Sequence, residues 1–292
     1  NYASESFIYY GDTSEAGYGS AETLPTQGAI GIAIDDLDGN GYPDLVFANA
    51  IGSSSTIYWG ESSGFLAARQ SGLATVGADT VSIADLDKDG KLDIVFSNNQ
   101  NSSGAREIDS YIYYGTTAED SNGYPAYDNN DRDDLPTKGA NYNTIDDIDG
   151  DGWPDILFSN FRDDSGDFEI DSILYWGSED GFSSDDTTSL PTKGASGCNI
   201  ADLNKDGYKD ILFSQIRDNS SSDVNNVSAI IYYGFANTAT DPAHTVSFDN
   251  DPSHTTYLYT YGSTDNAIAD LNGDGYLDVI LTNIVGLSVD EY

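Results

Sequence analysis

The sequence predicts an all-β chain assembled from repeats of four short strands, and three observations carry that prediction. A block of 27 residues recurs five times without a gap, at 24–50, 73–99, 135–161, 190–216 and 258–284, opening each time on a leucine (Leu24, Leu73, Leu135, Leu190, Leu258). Inside the block, apolar side chains alternate with small ones or run for three or four residues, which is strand spacing and not helix spacing. Each stretch between blocks carries an aromatic-glycine segment: Ile57-Tyr-Trp-Gly60, Ile112-Tyr-Tyr-Gly115, Leu174-Tyr-Trp-Gly177 and Ile231-Tyr-Tyr-Gly234, with a fifth copy, Ile8-Tyr-Tyr-Gly11, ahead of the first block. The block starts lie 49, 62, 55 and 68 residues apart, so linkers of 22, 35, 28 and 41 residues vary while the block does not. Four short strands repeated at about 50 residues are the signature of a β-propeller blade.

Taken in order, Ile30, Ile32 and Ile34 alternate with small residues, as in a strand with one buried face. A glycine-containing acidic loop follows. Next come runs such as Asp44-Leu-Val-Phe47 and Asp155-Ile-Leu-Phe158, apolar on both faces. The aromatic-glycine segment makes a third strand, and a fourth, less regular, is expected in the variable stretch before the next leucine. The chain begins inside a blade, with the strand Phe7–Gly11, and its last block stops soon after a second strand. Residues 285–292 and 1–23 together are as long as an internal linker, so the two ends supply complementary parts of one blade. The simplest outcome is one domain, 1–292, of five four-stranded blades, with the N-terminal strands completing the C-terminal blade in cis, since an unpaired edge would otherwise be exposed. The same arithmetic permits the N-terminal strand to complete the fifth blade of the next molecule, a head-to-tail contact that builds a filament.

Composition narrows the partners. The 292 residues hold 50 Asp and Glu against 11 Lys and Arg, a formal charge of −39. That excludes a nucleic-acid-binding surface, which needs cations to replace phosphate counterions, and disfavours anionic lipid. Apolar runs of a few residues, such as Ile94-Val95-Phe96, fall far short of the roughly 20 needed for a membrane-spanning helix, so no membrane insertion is expected. With 21 Tyr, 11 Phe and 3 Trp the chain can nonetheless fill a sizeable core. Cys198 stands alone, which leaves no intrachain disulfide. There is no Met, and the chain reads as a mature product or an excised part of a longer one.

Every block contains D-x-[DN]-x-[DN]-G-x-x-D. Positions one, three, five, seven and nine are Asp36, Asp38, Asn40, Tyr42 and Asp44 in the first loop, and Asp85, Asp87, Asp89, Lys91 and Asp93 in the second. They are Asp147, Asp149, Asp151, Trp153 and Asp155 in the third, Asp202, Asn204, Asp206, Tyr208 and Asp210 in the fourth, and Asp270, Asn272, Asp274, Tyr276 and Asp278 in the fifth. Side-chain oxygens at alternate positions can converge on one hard cation, and position seven needs to offer only its backbone carbonyl. Carboxylates crowded into nine residues repel one another unless a cation neutralises them. All-oxygen, flexible ligation favours Ca²⁺ over Mg²⁺ and Zn²⁺, so five Ca²⁺ sites are expected. An EF-hand is excluded, because its bidentate Glu is replaced by Phe47, Phe96, Phe158, Phe213 and Leu281 and strands flank the loop. At millimolar calcium and a dissociation constant near 10⁻⁴ to 10⁻³ M, each site stabilises the fold by roughly 0.4–1.4 kcal/mol, so five together contribute about 2–7 kcal/mol. In a chain without disulfides, that is comparable to the whole stability of a domain.

The succession aromatic-Gly, Gly-Ala, acidic loop resembles the FG-GAP/VCBS repeat family of calcium-binding β-propellers, which includes integrin α-chain heads. Tyr10-Gly11 with Gly28-Ala29, Gly115 with Gly139-Ala140 and Gly177 with Gly194-Ala195 carry the resemblance, although no copy has the Pro of "GAP" and the fifth block has Gly262-Ser263. The resemblance implies a fold and a metal. Its members range over adhesion, carbohydrate binding and catalysis, so it does not by itself give a function. The expected role is a non-catalytic, extracellular or cell-surface structural or adhesive protein, whose partner is a glycan, an extracellular protein or copies of itself. A lectin-like propeller is the alternative, although linkers of unequal length weigh against one identical sugar pocket per blade. A polysaccharide lyase using His244 or His254 with a nearby Tyr is the enzymatic alternative. Arg106, Arg162 and Arg217 are expected in surface ion pairs, and Cys198 as a half-buried small apolar residue. Asn101-Ser-Ser, Asn219-Ser-Ser and Asn226-Val-Ser are glycosylation sequons in variable segments.

Overall fold

The computed structural model describes residues 4–11, 17–220, 225–238 and 244–283. Strands β1 (Ser4–Ile8) and β2 (Glu22–Thr26) form a two-stranded sheet. They are followed by β3 (Ala29–Asp35), β4 (Asp44–Asn49), β5 (Ser54–Tyr58) and β6 (Gln70–Ala74), a four-stranded antiparallel sheet in that order. The next two sheets repeat this order: β7 (Ala78–Ala84), β8 (Asp93–Asn98), β9 (Glu107–Tyr113), β10 (Arg132–Lys138), then β11 (Ala140–Asp146), β12 (Asp155–Asn160), β13 (Asp171–Tyr175), β14 (Thr187–Pro191). In the fourth sheet, β15 (Ala195–Ala201), β16 (Asp210–Gln215) and β17 (Ala229–Tyr232) are separated in sequence from the outer strand by a small hairpin, β18 (Phe235–Ala236) and β19 (Val246–Ser247). The outer strand of that sheet is β20 (Thr255–Leu258). The described residues end with a second two-stranded sheet, β21 (Ser263–Ala269) and β22 (Asp278–Asn283). The described residues are all-β, and the four-stranded sheets are of the kind that forms propeller blades. Among the described residues four four-stranded sheets are complete, with a two-stranded sheet before the first and another after the fourth. Ile284, residues 285–292 and residues 1–3, to which the closure expectation also appeals, lie outside the described residues.

The fourth strand begins in the variable stretch, as expected, and runs on into the next block, so that the opening leucines Leu73, Leu135 and Leu190 lie opposite Ser55, Ser110 and Ser172 of the third strand. A hydroxyl pair locks each register, with Ser55, Ser110 and Ser172 each 2.9 Å from Thr75, Thr137 and Thr192. The 27-residue block therefore straddles two sheets.

The sheets stack through their faces. Val81 of β7 enters the cluster of Val46, Ile57 and Trp59, and Val95 and Ile112 pack with Phe158 and Tyr175 of the following sheet. The aromatic-glycine segment supplies a clasp. The ring of Tyr175 meets Phe158 edge-on at 6.0 Å, and its hydroxyl donates to the Pro136 carbonyl on the outer strand of the preceding sheet, at 2.7 Å. Tyr113 does the same to Ala74, Tyr232 to Pro191 and Tyr58 to Pro25. The glycine that ends the segment is sterically required, because a Cβ on Gly60 or Gly177 would lie 2.0 or 2.1 Å from the carbonyl oxygen of Pro43 or Pro154. The side-chain amide of Asn49 accepts the Gln27 N–H and donates to the Ser54 carbonyl, tying the end of β4 to both neighbouring chain segments. Asn98 and Asn160 repeat this.

One expectation about burial fails at the first sheet. The alternating residues Ile30, Ile32 and Ile34 are exposed, Ile32 by 52%, whereas the equivalent Val81 is 7% exposed because the first sheet covers it. We predict that Tyr175→Phe lowers stability by about 1 kcal/mol through the lost hydroxyl bond. Gly177→Ala, which forces a backbone shift, should cost about 1–3 kcal/mol. Urea denaturation of both variants checks the order.

Candidate metal centre

The five acidic loops share one hydrogen-bond skeleton. The first Asp accepts the N–H of the sixth-position glycine: Gly41 on Asp36 at 2.8 Å, and Gly90, Gly152 and Gly207 on Asp85, Asp147 and Asp202 at 3.0 Å, with Gly275 on Asp270 at 2.8 Å. These glycines have φ between 84° and 94°, the left-handed region that turns the chain back over its own carboxylates. The third-position side chain (Asp38, Asp87, Asp149, Asn204, Asn272) accepts the N–H of position five. The fifth (Asn40, Asp89, Asp151, Asp206, Asp274) accepts that of position seven. Tyr42, Lys91, Trp153, Tyr208 and Tyr276 thus enter the skeleton through the backbone, as the variability of their side chains requires.

The ninth Asp does something the spacing did not reveal. Asp44 accepts the Leu37 N–H on one oxygen and the Gly60 N–H on the other, at 2.8 and 2.7 Å. Asp93 holds Leu86 and Gly115, Asp155 holds Ile148 and Gly177, and Asp210 holds Leu203 and Gly234. This carboxylate therefore joins the loop to the aromatic-glycine strand. In sequence the two partners are 16, 22, 22 and 24 residues apart, and only the recurrence of an aromatic-glycine segment after each loop hints at the pairing. In the fifth loop, Asp278 accepts the Leu271 N–H at 2.9 Å, and the matching glycine, Gly11, belongs to the other half-sheet.

In three loops the carboxylates converge. Oxygens of Asp36, Asp38 and Asp44 lie within 4.8 Å of one another, as do those of Asp85, Asp87 and Asp93 and those of Asp147, Asp149 and Asp155. One Asp85 oxygen is buried without a hydrogen-bond partner. A buried, unpaired carboxylate oxygen beside two further carboxylates is costly unless a cation meets it, so the residues fit a hard divalent ion. The fourth and fifth loops have Asn204 and Asn272 in place of the middle carboxylate. Desolvation pushes the ninth Asp up, to about 6 at Asp44, Asp93 and Asp210 and about 7 at Asp155, from 3.8. Lys88 and Lys205 take φ of 60° and 62° at the fourth position, where the other loops have glycine. Each lays its ammonium 3.9 Å from the ring at position seven of the next loop, Trp153 or Tyr276.

The residues behind the weaker signals are packed as follows. His244 lies 3.1 Å from Asp149 and 2.9 Å from Asp186, stacked on Trp176 at 4.1 Å, so a segment of the fourth repeat reaches the third loop. His254 pairs with Asp249 and stacks on Phe235. Among the described residues, Arg106, Arg162 and Arg217 form no ion pair. They lie over Phe161 and Phe168 instead, with Arg106 also donating to Gln100. Cys198 is fully buried rather than half-buried, and burial pushes its thiol up to about 12. Of the sequons, Asn226 is exposed, Asn219 donates its amide to Asp167, Asn101 closes a turn onto Ser103, and Ser221 lies outside the described residues.

The profile of the FG-GAP-like repeat matches residues 36–96 and 147–213. Each match runs from the first Asp of one loop to the second-strand Phe of the next sheet, so two loops fall in each. No curated protein matches the chain.

Two outcomes follow for the loops. Asp85→Ala should lower the melting temperature far more in calcium than in chelator, because Gly90, whose N–H it accepts, is exposed and finds water instead. Asp93→Ala should lower it with or without calcium, with a loss of about 1–3 kcal/mol in unfolding free energy, because the Leu86 and Gly115 amides lose their acceptor. In chelator, the raised ninth-position carboxyls mean that the folded chain binds protons the unfolded chain does not, between about pH 4 and 7. Stability therefore falls as pH rises through that window, and saturating Ca²⁺ should flatten the fall. Melting curves across pH, with and without chelator, check both.

Proposed function

We propose that this chain, a carrier of FG-GAP-like repeats, is a non-catalytic, extracellular β-propeller with a structural or adhesive role, held in shape by five calcium ions. The convergence of three carboxylates in each of three loops, with an orphaned Asp85 oxygen among them, carries the reading. The common hydrogen-bond skeleton extends it to the fourth and fifth loops, where Asn204 and Asn272 supply an amide oxygen in place of a carboxylate. The ions fit between strands rather than at a pocket floor, as structural metals do. They stabilise a chain that has no disulfide and carries −39 charges, and they reduce the self-repulsion of that charge without abolishing it. An extracellular setting supplies calcium at the millimolar level such sites need. The exposed linkers, unequal in length and sequence, are the variable surface available to a glycan or protein partner.

Calorimetric titration of chelator-treated protein should give five ions per chain and a melting temperature that rises with calcium. A melting curve indifferent to chelator would refute the structural role of the ion. Incubation with acidic polysaccharides should leave ultraviolet absorbance unchanged. An unsaturated-uronate signal lost in His254→Ala would replace this reading with a lyase.

A further inference from the structure

The two half-sheets have the registers of complementary halves of one blade. In β1–β2, Ser6 lies opposite Leu24, as Ser55, Ser110 and Ser172 lie opposite Leu73, Leu135 and Leu190, and Ser6 makes the same hydroxyl contact, to Thr26 at 3.1 Å. Pro25 of β2 receives the Tyr58 hydroxyl, as the outer strand of each preceding sheet receives its tyrosine. So β1–β2 holds the place of strands three and four in front of the first sheet. In β21–β22, Ala269 lies opposite Asp278 and Ala267 opposite Ile280, as Asp35 opposite Asp44 and Ala33 opposite Val46. That pair holds the place of strands one and two after the fourth sheet. Among the described residues, β1 pairs only with β2 and β22 only with β21.

Each half exposes what the other would cover. Between β1 and β3 lies an apolar slot of about 610 Å³, lined by Ile8, Tyr10, Ile32, Ile34, Leu45 and Phe47 among others. In the intact sheets the space before the next sheet is filled by the second-strand residue Val46, Val95, Leu157 or Leu212 and, in the first three, by the loop residue Leu37, Leu86 or Ile148, all buried. Their equivalents in the last half-sheet, Ile280 and Leu271, are 42% and 64% exposed. Tyr58, Tyr113, Tyr175 and Tyr232 are fully buried, and their equivalent Tyr9 is 59% exposed.

We propose that the slot between β1 and β3 is the docking site for the β21–β22 half-blade of a second copy of this chain. The proposal rests on the propeller reading above and adds its partner. The register is fixed by the four intact sheets, in which Leu45, Ile94, Ile156 and Ile211 lie opposite Tyr58, Tyr113, Tyr175 and Tyr232. Val279 of one copy then pairs with Tyr9 of the next, Ile280 with Ile8 and Leu281 with Phe7. Gly11 N–H meets the second oxygen of Asp278, and the Tyr9 hydroxyl reaches the Tyr259 carbonyl. The chain's own β21–β22 stays packed on Leu212, Ile231 and Leu258 of the fourth sheet and leaves the slot open. Each copy thus has one slot and one half-blade, and such a heterologous contact propagates head to tail.

Two variants test this, each placed where the side chain is already exposed, so the monomer tolerates the charge. Ile280→Asp spoils the inserting half-blade and keeps the slot. Ile34→Asp spoils the slot and keeps the half-blade. At physiological salt with Ca²⁺, light scattering after size exclusion should show concentration-dependent linear oligomers for the unmodified chain. Each variant alone should associate more than tenfold more weakly, and an equimolar mixture should form a discrete heterodimer. Hydrogen exchange of the unmodified chain should show protection at 7–9 and 279–281 that rises with protein concentration, a readout that holds even if a variant misfolds. A monomer at every concentration, no heterodimer on mixing well-folded variants, or protection independent of concentration would overturn the proposal in favour of closure within one chain. The calcium-dependent melting would then stand unaffected, which separates this failure from failure of the propeller reading.

Discussion

The structure depends on a buried carboxylate at the ninth position of the first four acidic loops. In four sheets its two oxygens hold two backbone N–H groups, one from the loop itself and one from the glycine that ends the third strand. Burial makes it expensive to keep charged, as the upward displacement of Asp44, Asp93, Asp155 and Asp210 shows. A divalent ion held by the loop would offset that cost, and the group that joins strands would then also couple their packing to the metal. The requirement explains why an acidic loop and an aromatic-glycine segment travel together through the chain although many residues separate them.

Around this group the architecture is built from contacts between neighbouring sheets. Tyrosine hydroxyls clasp one sheet to the outer strand of the preceding one, and Lys88 and Lys205 reach from one loop to a ring on the next. The linkers contribute where they fold back, as the segment bearing His244 does onto Asp149. Elsewhere they vary without disturbing the repeated strands.

Much of this was legible in the sequence. Fixed spacing in the block gave the strands, the loop and its hard-cation chemistry, because each of these is a local consequence of residue order. Relations between blocks were not legible. That Leu73 belongs to the sheet of Ser55 and not to the strand that follows it depends on pairing across a linker, which composition does not encode. The second role of Asp44 was hidden because one local explanation already accounted for it. Ile30, Ile32 and Ile34 were read as a buried face from their alternation. The pattern describes what a face is suited to, and whether anything covers it is decided by a neighbour.

The shared register of every sheet has a consequence for specificity. The β1–β2 pair in front of β3 has the same hydroxyl pair as the first three four-stranded sheets and receives the same tyrosine clasp. Nothing in those groups labels one junction as different from another. On the proposed docking, choice among junctions is made by what stands open and not by a unique code: the interior places are taken by the chain's own strands, and the slot in front of β3 is open among the described residues.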